Sequence, residues 1–467
     1  MIQNRGYLVE LKYSPTRKGK SAKNYPKHTD FNQMGHCLFL SAKNVTVNGF
    51  EFSDTTYISK EKDEQLRAGK LVRGDIVLTT RGTIGNVGLY DDQIKQEHIR
   101  VNSGMMIFRP DPKVWNSRFL YFVLTSDFVK NQIYSLTTGS AVPQLPAKDL
   151  KKFLLPKVEK EYQDKIVAHI SCVVDKITLN RQINQTLEQM AQTLFKSWFV
   201  DFNPVIDNAL DAGNDIPDTL QERAEQRRLL RAKADFKPLP AETRALFPSE
   251  FEETELGWVP KGWEVGCIAD FGSIVCGKTP SKDKNEFYGG AIPFIKIPDM
   301  HKQVFIVETS DSLSLDGSNS QIKKLIPKDS ICVSCIATVG LVAIASKASH
   351  TNQQINSIVP FKPYFRDYLY FSMKDKYDLF HDLASGGSTT LNMNTSTFSK
   401  VQMLKPANEI LLSYQKLSSS FLSKNLANEF ESQSLIKIRD ILLPKLISGE
   451  LALDDLPEDI AEAVEAV

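Results

Sequence analysis

Glu161-Tyr162-Gln163-Asp164-Lys165-Ile166 opens, and Leu194-Phe195-Lys196-Ser197-Trp198-Phe199 nearly closes, a run from residue 161 to 203 without glycine or proline, stopped by Pro204. Ile166, Ile170, Val173 and Ile177, then Leu187, Met190 and Leu194, recur in the steps of three and four that mark one face of a helix. Asn180 and Asn184 occupy the middle of that seam. A helix of this length extends roughly 60 Å at 1.5 Å per residue. That is longer than an ordinary domain helix needs, and long helices hold things apart.

The chain makes this statement twice. Residues 408–443 again lack glycine and proline, with Pro444 as the expected stop. The second seam reads Ile410, Tyr414, Leu417, Phe421, then Leu435, Ile438 and Leu442, with Asn425 and Asn428 at its centre. Thr186-Leu187, Met190 and Leu194 match Ser434-Leu435, Ile438 and Leu442 at a constant shift of 248. Two apolar seams with polar centres fit one helix packed on the other, the asparagines setting register at some cost in stability. Two unrelated amphipathic helices satisfy the periodicity equally. What precedes each helix decides between these readings.

Working outward, residues 1–158 read as short strands and turns, with helix near Asn116 to Leu136. Arg73-Gly74-Asp75 leads into the apolar strand Ile76-Val77-Leu78-Thr79. A glycine-containing loop, Arg81-Gly82-Thr83-Ile84-Gly85, enters the next strand. Residues 256–406 repeat the pattern. Lys328-Asp329-Ser330-Ile331 echoes the lead into the strand at Ile76, and residues 338–344 echo 83–89. Ile355-Asn356-Ser357 is aligned with Val101-Asn102-Ser103, and Phe361-Lys362-Pro363 with Phe108-Arg109-Pro110. The shifts lie between 248 and 255 throughout. Self-similarity at so long a period defines the architecture.

The expected fold is therefore α+β: two globular α/β domains separated by two long antiparallel, coiled-coil helices, a pseudo-two-fold internal repeat. The expected divisions are a first globule at 1–158, a helix at 159–204, a polar connector at 205–255, a second globule at 256–406, a helix at 407–450 and an acidic tail at 451–467. Within the connector, residues 222–234 read as a solvated Arg/Glu-rich helix. Antiparallel pairing of the helices predicts a globule at either end of a strut, like a dimer on a symmetric operator. Because the globules differ in sequence, the two ends would read different things.

Composition narrows the class. At 467 residues with 42% hydrophobic and 24% charged residues the chain supports two or three globular domains. No apolar run is long enough to span a bilayer and the polar N-terminus is not a signal peptide, so a cytoplasmic location is expected. Six cysteines without framework spacing argue against a disulfide scaffold. The net charge is +1, yet residues 12–27 hold six basic residues and no acid, while the tail is acidic. Such asymmetry is a weak pointer to phosphate.

Enzymatic motifs fail on inspection. Gly272-Ser273-Ile274-Val275-Cys276-Gly277-Lys278-Thr279 matches the P-loop pattern, but Ile, Val and Cys favour a strand and Pro280 disfavours helix at Thr279. Cys332-Val333-Ser334-Cys335 lies in a strand and lacks a second pair, so buried thiols are expected rather than metal ligands. Asn203-Pro204-Val205 is a helix end, not an amino-methylating loop. No catalytic residue and no metal ligand is assigned.

What remains is polar loop chemistry at equivalent places. In the first globule the candidates for DNA contact are Arg81, Thr83, Asn86, His98, Arg100, Gly139, Ser140 and Gln144. In the second they are Thr338, His350, Asn352, Gln353, Gln354, Ser388, Thr389, Thr390, Asn392 and Asn394. Asn and Gln pair bidentately with adenine and Arg with guanine, while Ser and Thr more often hold phosphates. Each alone reads equally as a solvated loop residue; their recurrence in both globules carries the argument.

These pieces resemble a known family. Ser140-Ala141-Val142-Pro143-Gln144-Leu145, Leu179-Asn180-Arg181-Gln182-Ile183-Asn184-Gln185-Thr186-Leu187-Glu188, Leu194-Phe195-Lys196-Ser197-Trp198-Phe199, Gly257-Trp258-Val259-Pro260-Lys261-Gly262-Trp263 and Leu446-Ile447-Ser448-Gly449-Glu450-Leu451 are similar to specificity subunits of Type I restriction–modification systems, over nearly the full length. Gly277-Lys278-Thr279-Pro280-Ser281 is a common target-domain feature of that family. The resemblance implies two target-recognition domains reading a bipartite, asymmetric site on double-stranded DNA. It implies docking of two methyltransferase subunits and of restriction subunits, the complex being an adenine methyltransferase and endonuclease. S-adenosylmethionine would sit in the methyltransferase partner and ATP with Mg in the restriction partner, none on this chain. One departure is visible: the first unit lacks a lead like Trp258 to Trp263. The other class open at this stage is a coiled-coil scaffold for protein partners without nucleic-acid specificity.

Overall fold

A computed structural model of the chain describes residues 25–137, 144–150, 152–301, 303–385 and 391–453. Most of the basic stretch (12–24) and of the acidic tail (454–467) falls outside them. The chain divides into two compact units, residues 1–177 with 434–467, and residues 178–433. The division falls inside each long helix rather than at the ends of globules.

In the first unit, besides a two-stranded ladder of Val45–Thr46 with Gly49–Phe50, the strands are β1 (Cys37–Leu40), β2 (Tyr57–Ile58), β3 (Ile76–Thr79), β4 (Val87–Leu89), β5 (Ile99–Val101) and β6 (Met105–Phe108). They form two small sheets, in the orders β2-β1-β5 and β4-β3-β6. The helices are α1 (Lys60–Gln65), α2 (Ser117–Thr125), α3 (Asp127–Leu136) and the long α4 (Lys160–Phe199). Asn116 caps α2, its Oδ1 accepting from the N–H groups of Arg118 (2.9 Å) and Phe119 (3.2 Å).

Strand alternation places the core. Ile76 and Leu78 face a cluster containing Phe119, Val123, Ile133, Ile166 and Ile170, together with Leu442, Leu443 and Leu446 near the end of the second long helix. Val77 faces the other way, onto Leu38, Leu40, Ile99, Val101 and Ile107. A strand buried on both faces reads as a continuous apolar run, which is why 76–78 shows no alternation in sequence.

The second unit adds two helices, α5 (Asn203–Ala212) and α6 (Asp218–Arg231). Strands β7 (Gly272–Cys276), β8 (Tyr288–Ile295), β9 (Phe305–Ile306), β10 (Asp311–Leu313), β11 (Ile331–Ser334), β12 (Val342–Ala345), β13 (His350–Thr351) and β14 (Ile355–Pro360) follow. Then come α7 (Leu315–Asn319, inserted before β11), α8 (Arg366–Asp375), α9 (Tyr377–Ala384), α10 (Thr395–Ser399) and the long α11 (Asn408–Ser448). The two larger sheets run β7-β14-β11-β12-β9 and β10-β8-β13, and two-stranded ladders join Phe251–Thr254 to Gly257–Pro260 and Glu264–Cys267 to Gln402–Lys405.

The repeat is visible in the registers. Ile76 pairs with Leu89 and Phe108 in the first unit; Ile331 pairs with Ile344 and Ile358 in the second. Phe39 lies beside Arg100 in a parallel pair, and Phe294 beside His350 in another. The equivalence is thus a shift of 255 up to Leu89 and of 250 from Arg100 to Phe108. Two sequence alignments are corrected accordingly: Asn102 corresponds to Asn352, not Asn356, and Phe108 to Ile358, not Phe361. The cause is a connection after β4 five residues longer than the one after β12, which slides every later comparison.

The helix seams hold in part. Ile166, Ile170, Val173, Ile177, Asn180, Asn184, Asn425, Asn428 and Leu442 are buried. Leu187, Leu194, Phe421, Leu435 and Ile438 are half-buried. Met190 (47% exposed) and Leu417 (41%) point outward. Ala191 and Ser418 take their places. The reason is close approach: the Tyr414 hydroxyl donates to Ala191 O (3.4 Å) and the Ser418 hydroxyl to Asp367 (2.7 Å). Small residues admit those contacts, whereas a period drawn from large apolar residues passes over them.

The helices pair antiparallel within the second unit. Asn180 Nδ2 donates to Glu431 (2.8 Å), Asn184 Nδ2 to Asn425 O (3.2 Å) and Glu429 (3.0 Å), and Tyr414 meets Ala191. Partner numbers fall as α4 numbers rise. Asn428 Nδ2 donates to Asn184 Oδ1 (2.9 Å), completing a polar layer. α11 runs through Pro444 to Ser448 instead of stopping before it. Pro444 sits in the last two turns, where one lost N–H bond is cheaper than in a helix interior.

The connector is less solvated than its composition implied. Pro204 opens α5 rather than only ending α4. Ile206, Ala209, Ile216 and Ala224 form a small core. Arg227 pairs with Asp207, and Arg231 and Arg244 converge on Asp211.

Candidate nucleic-acid interface

Three segments meet at one edge of each unit. The main chain leaving β3 is tied to the turn after β5 by Thr80 N–H to Gly104 O (2.8 Å), and to the segment after residue 143 by Leu145 N–H to Thr80 O (3.0 Å). Arg81 and Gln144 form a single antiparallel bridge. In the second unit Cys335 N–H bonds Gln354 O (2.8 Å), Met393 N–H bonds Cys335 O (2.8 Å), and Ile336 bridges Asn392. The same bonds assemble the same three segments twice.

The backbone of the first segment is matched too. Gly82 (φ 76°) and Gly85 (φ 92°) adopt left-handed conformations, and so do Ala337 (φ 65°) and Gly340 (φ 88°) at the shifted positions. Ala337 is the informative one, because an alanine holds that conformation only where its surroundings impose it. The second segment is a three-residue turn closed by a side chain. Asn102 Oδ1 accepts from Gly104 N–H (2.9 Å), and Asn352 Oδ1 from Gln354 N–H (3.1 Å).

On this framework Arg81, Thr83, Ser103 and Gln144 are exposed in the first unit. Thr338, Gln353, Asn392 and Asn394 are exposed in the second. Arg81 makes no ion pair among the described residues. Gly139, Ser140, Ser388, Thr389 and Thr390 lie outside the described residues.

Several sequence candidates serve the fold instead. Arg100 is buried (4% exposed) against Asp63, with Nη1 donating to Ala68 O and Nη2 to Asp63 O, both 2.7 Å. Burial would raise the Asp63 carboxyl; hydrogen bonds from Lys70 and Arg100 outweigh it and hold it at about 2. His350, equivalent to Arg100 in register, is fully buried between Ser318 Oγ (2.8 Å) and Gln321 Nε2 (3.4 Å), and burial pushes its pKa down. His98 lies against His36, ring centroids 4.3 Å apart and planes tilted by 39°, and precedes β5, four residues and about 13 Å of extended chain from Asn102. Asn86 Nδ2 donates to Val45 O (2.8 Å). Asn352 and Gln354 bond each other (3.0 Å), and Asn394 caps α10 through Thr397 N–H (2.9 Å). Apart from His98, whose contact is ring on ring, each of these side chains is hydrogen-bonded within the protein.

The rejected motifs are structural as well. Gly272–Cys276 is strand β7, so no phosphate-cradling loop exists there. Burial raises the thiols of Cys332 and Cys335 to about 12 and about 11, far from thiolate character. No group of three or more metal-ligating side chains occurs among the described residues.

Residues 19–189 and 260–440 each match the Type I restriction modification DNA specificity domain. The chain belongs to that family. It is 41% identical over 456 residues to the Type I restriction enzyme HindI specificity subunit of Haemophilus influenzae, covering 93% of this chain and 98% of that one. It is 26% identical to the MjaIX specificity subunit of Methanocaldococcus jannaschii, covering 82% and 79%. A crystal structure of a Type I restriction–modification S subunit from M. genitalium covers 93% of both chains at 13% identity, with a TM-score of 0.45. The family's function, DNA sequence specificity in a Type I restriction–modification system, is that of this chain, and it is a non-catalytic subunit.

In this specificity subunit two further loop residues lie at this edge. Ser103, exposed, occupies the place of Gln353, and the half-buried Thr279 reaches Gln353 from the turn after β7. Ser103 was hidden by the misplaced alignment of Asn102. Thr279 belongs to the target-domain feature Gly277–Ser281, but its closeness to Gln353, 74 residues away, exists only in the folded chain.

Proposed function

We propose that the two units read the two halves of a bipartite, asymmetric site on double-stranded DNA, each through its three-segment edge. One observation carries this: an identical main-chain framework displays Arg81, Ser103 and Gln144 in one unit and Ile336, Gln353 and Asn392 in the other. A shared frame with unlike side chains is what two different half-sites require. The partners are two methyltransferase subunits and restriction subunits, S-adenosylmethionine belonging to the first and ATP with Mg to the second. The chain itself binds no cofactor, and the complex works in the cytoplasm. No helix among the described residues is long and apolar enough to cross a membrane.

The long helices set the number of unread base pairs between the half-sites. Methylome sequencing of cells expressing the complete system tests the reading, the expected result being two unlike half-sites at a fixed gap. A single contiguous site, or sequence-independent methylation, would overturn it. Inserting four helical residues near Ala168 should lengthen the gap; activity confined to the original spacing would remove the helices from that role.

A further inference from the structure

The turn at residues 277–280 of the second unit is fastened at every step. Gly277 N–H bonds Ile355 O (3.0 Å) and Lys278 N–H bonds Thr351 O (2.9 Å). Lys278 O accepts from Gln321 Nε2 (2.9 Å), and Pro280 O from the Tyr288 hydroxyl (2.8 Å). A Cβ at Gly277 would stand 2.1 Å from Asn352 O, so the turn lies flat against the chain that carries Gln353. From this fixed support the Thr279 hydroxyl donates to Gln353 Oε1 at 2.5 Å. Gln353 is exposed, and its Nε2 has no partner among the described residues.

That bond changes what a glutamine says to a base. A free amide offers an acceptor and a donor and pairs bidentately with adenine. With Oε1 engaged and the amide plane pinned, the face left open is the N–H2. It matches acceptors on a major-groove edge: guanine N7 and O6, thymine O4 or adenine N7. We propose that Thr279 is a specificity-positioning residue, locking Gln353 as an outward hydrogen-bond donor that selects one base pair of the half-site read by this unit. The proposal rests on the two-unit reading above.

The test uses the full complex with its methyltransferase subunits, methylating duplexes randomised over both half-sites, with methylated products sequenced. Gln353→Ala and Thr279→Val should each lower discrimination at the same single base pair, about tenfold for one lost hydrogen bond to a base. The remaining positions and the other half-site keep their preferences, and Thr279→Ser, which retains the hydroxyl, restores the wild-type pattern. Gln353→Glu, presenting acceptors only, should move the preference at that pair toward cytosine or adenine, whose amino groups donate. Unchanged selectivity in Gln353→Ala overturns the proposal, as does wild-type selectivity in Thr279→Val. Loss of the whole half-site in both Thr279→Val and Thr279→Ser would make the contact one of folding and also overturn it. A wild-type complex that shows no second half-site would instead fail the reading on which this rests.

Discussion

Arg100 and His350 hold the same place in their two units, and so do Asp63 and Ser318. The first unit fills that place with a buried ion pair, the second with a neutral hydrogen bond. A few residues away, at the loop edge, the units differ again: Arg81 against Ile336, and Ser103 against Gln353. The two differences have different consequences. Inside, either chemistry makes the same buried contact between β5 or β13 and the helix beside it. At the edge the same freedom alters what is displayed to a ligand. Under the proposed reading, polarity at equivalent positions therefore does not separate readers from struts, whereas exposure does.

The sharpest way to break the comparison is Gly277→Ala. Its Cβ has no space, so the turn must leave β13, and the methylated sites should lose selectivity in one half-site while the other persists. Loss of both together would mean that the units do not read independently. Arg100→Ala should destabilise the first unit by about 3 kcal/mol, because the buried Asp63 loses its one buried cation and keeps only the more exposed Lys70 and His36 (3.9 Å), measurable by chemical unfolding. The base preferences of the protein that remains folded should not move. Arg81→Ala should do the reverse: little change in stability, and about 2 kcal/mol less discrimination at one base pair of the other half-site, read from competition binding of the complex.

Acid separates the units further. The carboxyl of Asp63 is held below its unfolded value, so its contribution, about 2 kcal/mol, is complete above about pH 5 and lost as pH falls through 4 toward 2. His350 is also lowered, so the unfolded chain takes up its proton first, and stability declines as pH drops below about 6.5. Amide hydrogen exchange at pH 7 and pH 5 should show protection falling at His350–Thr351 and holding at Ile99–Val101. Equal losses would assign the sensitivity to other groups. Least of all, Asn394→Ala should cost about 1 kcal/mol as a lost helix cap, with site preference unchanged in the methylome.

Local patterning carried much of this. Ile166 to Ile177, the asparagine centres, the β-rich lead-ins at Ile76 and Ile331, and the strand at Gly272 are all readable because periodicity and propensity are properties of neighbouring residues. Where a large apolar residue and a small one compete for a seam, as Met190 with Ala191 and Leu417 with Ser418, periodicity picks the larger and the packed helices admit the smaller.

The sequence by itself determined that a unit is repeated, that each copy is α+β with a long helix, and that the family is one of DNA specificity. Only the tertiary structure decided which polar residues are available. Arg100 and His350 sit in strands without alternation, so nothing adjacent in the chain says which face they take. Their partners, Asp63 and Ser318, are more than thirty residues away, and a hydrogen bond across that distance exists only once the sheets have formed.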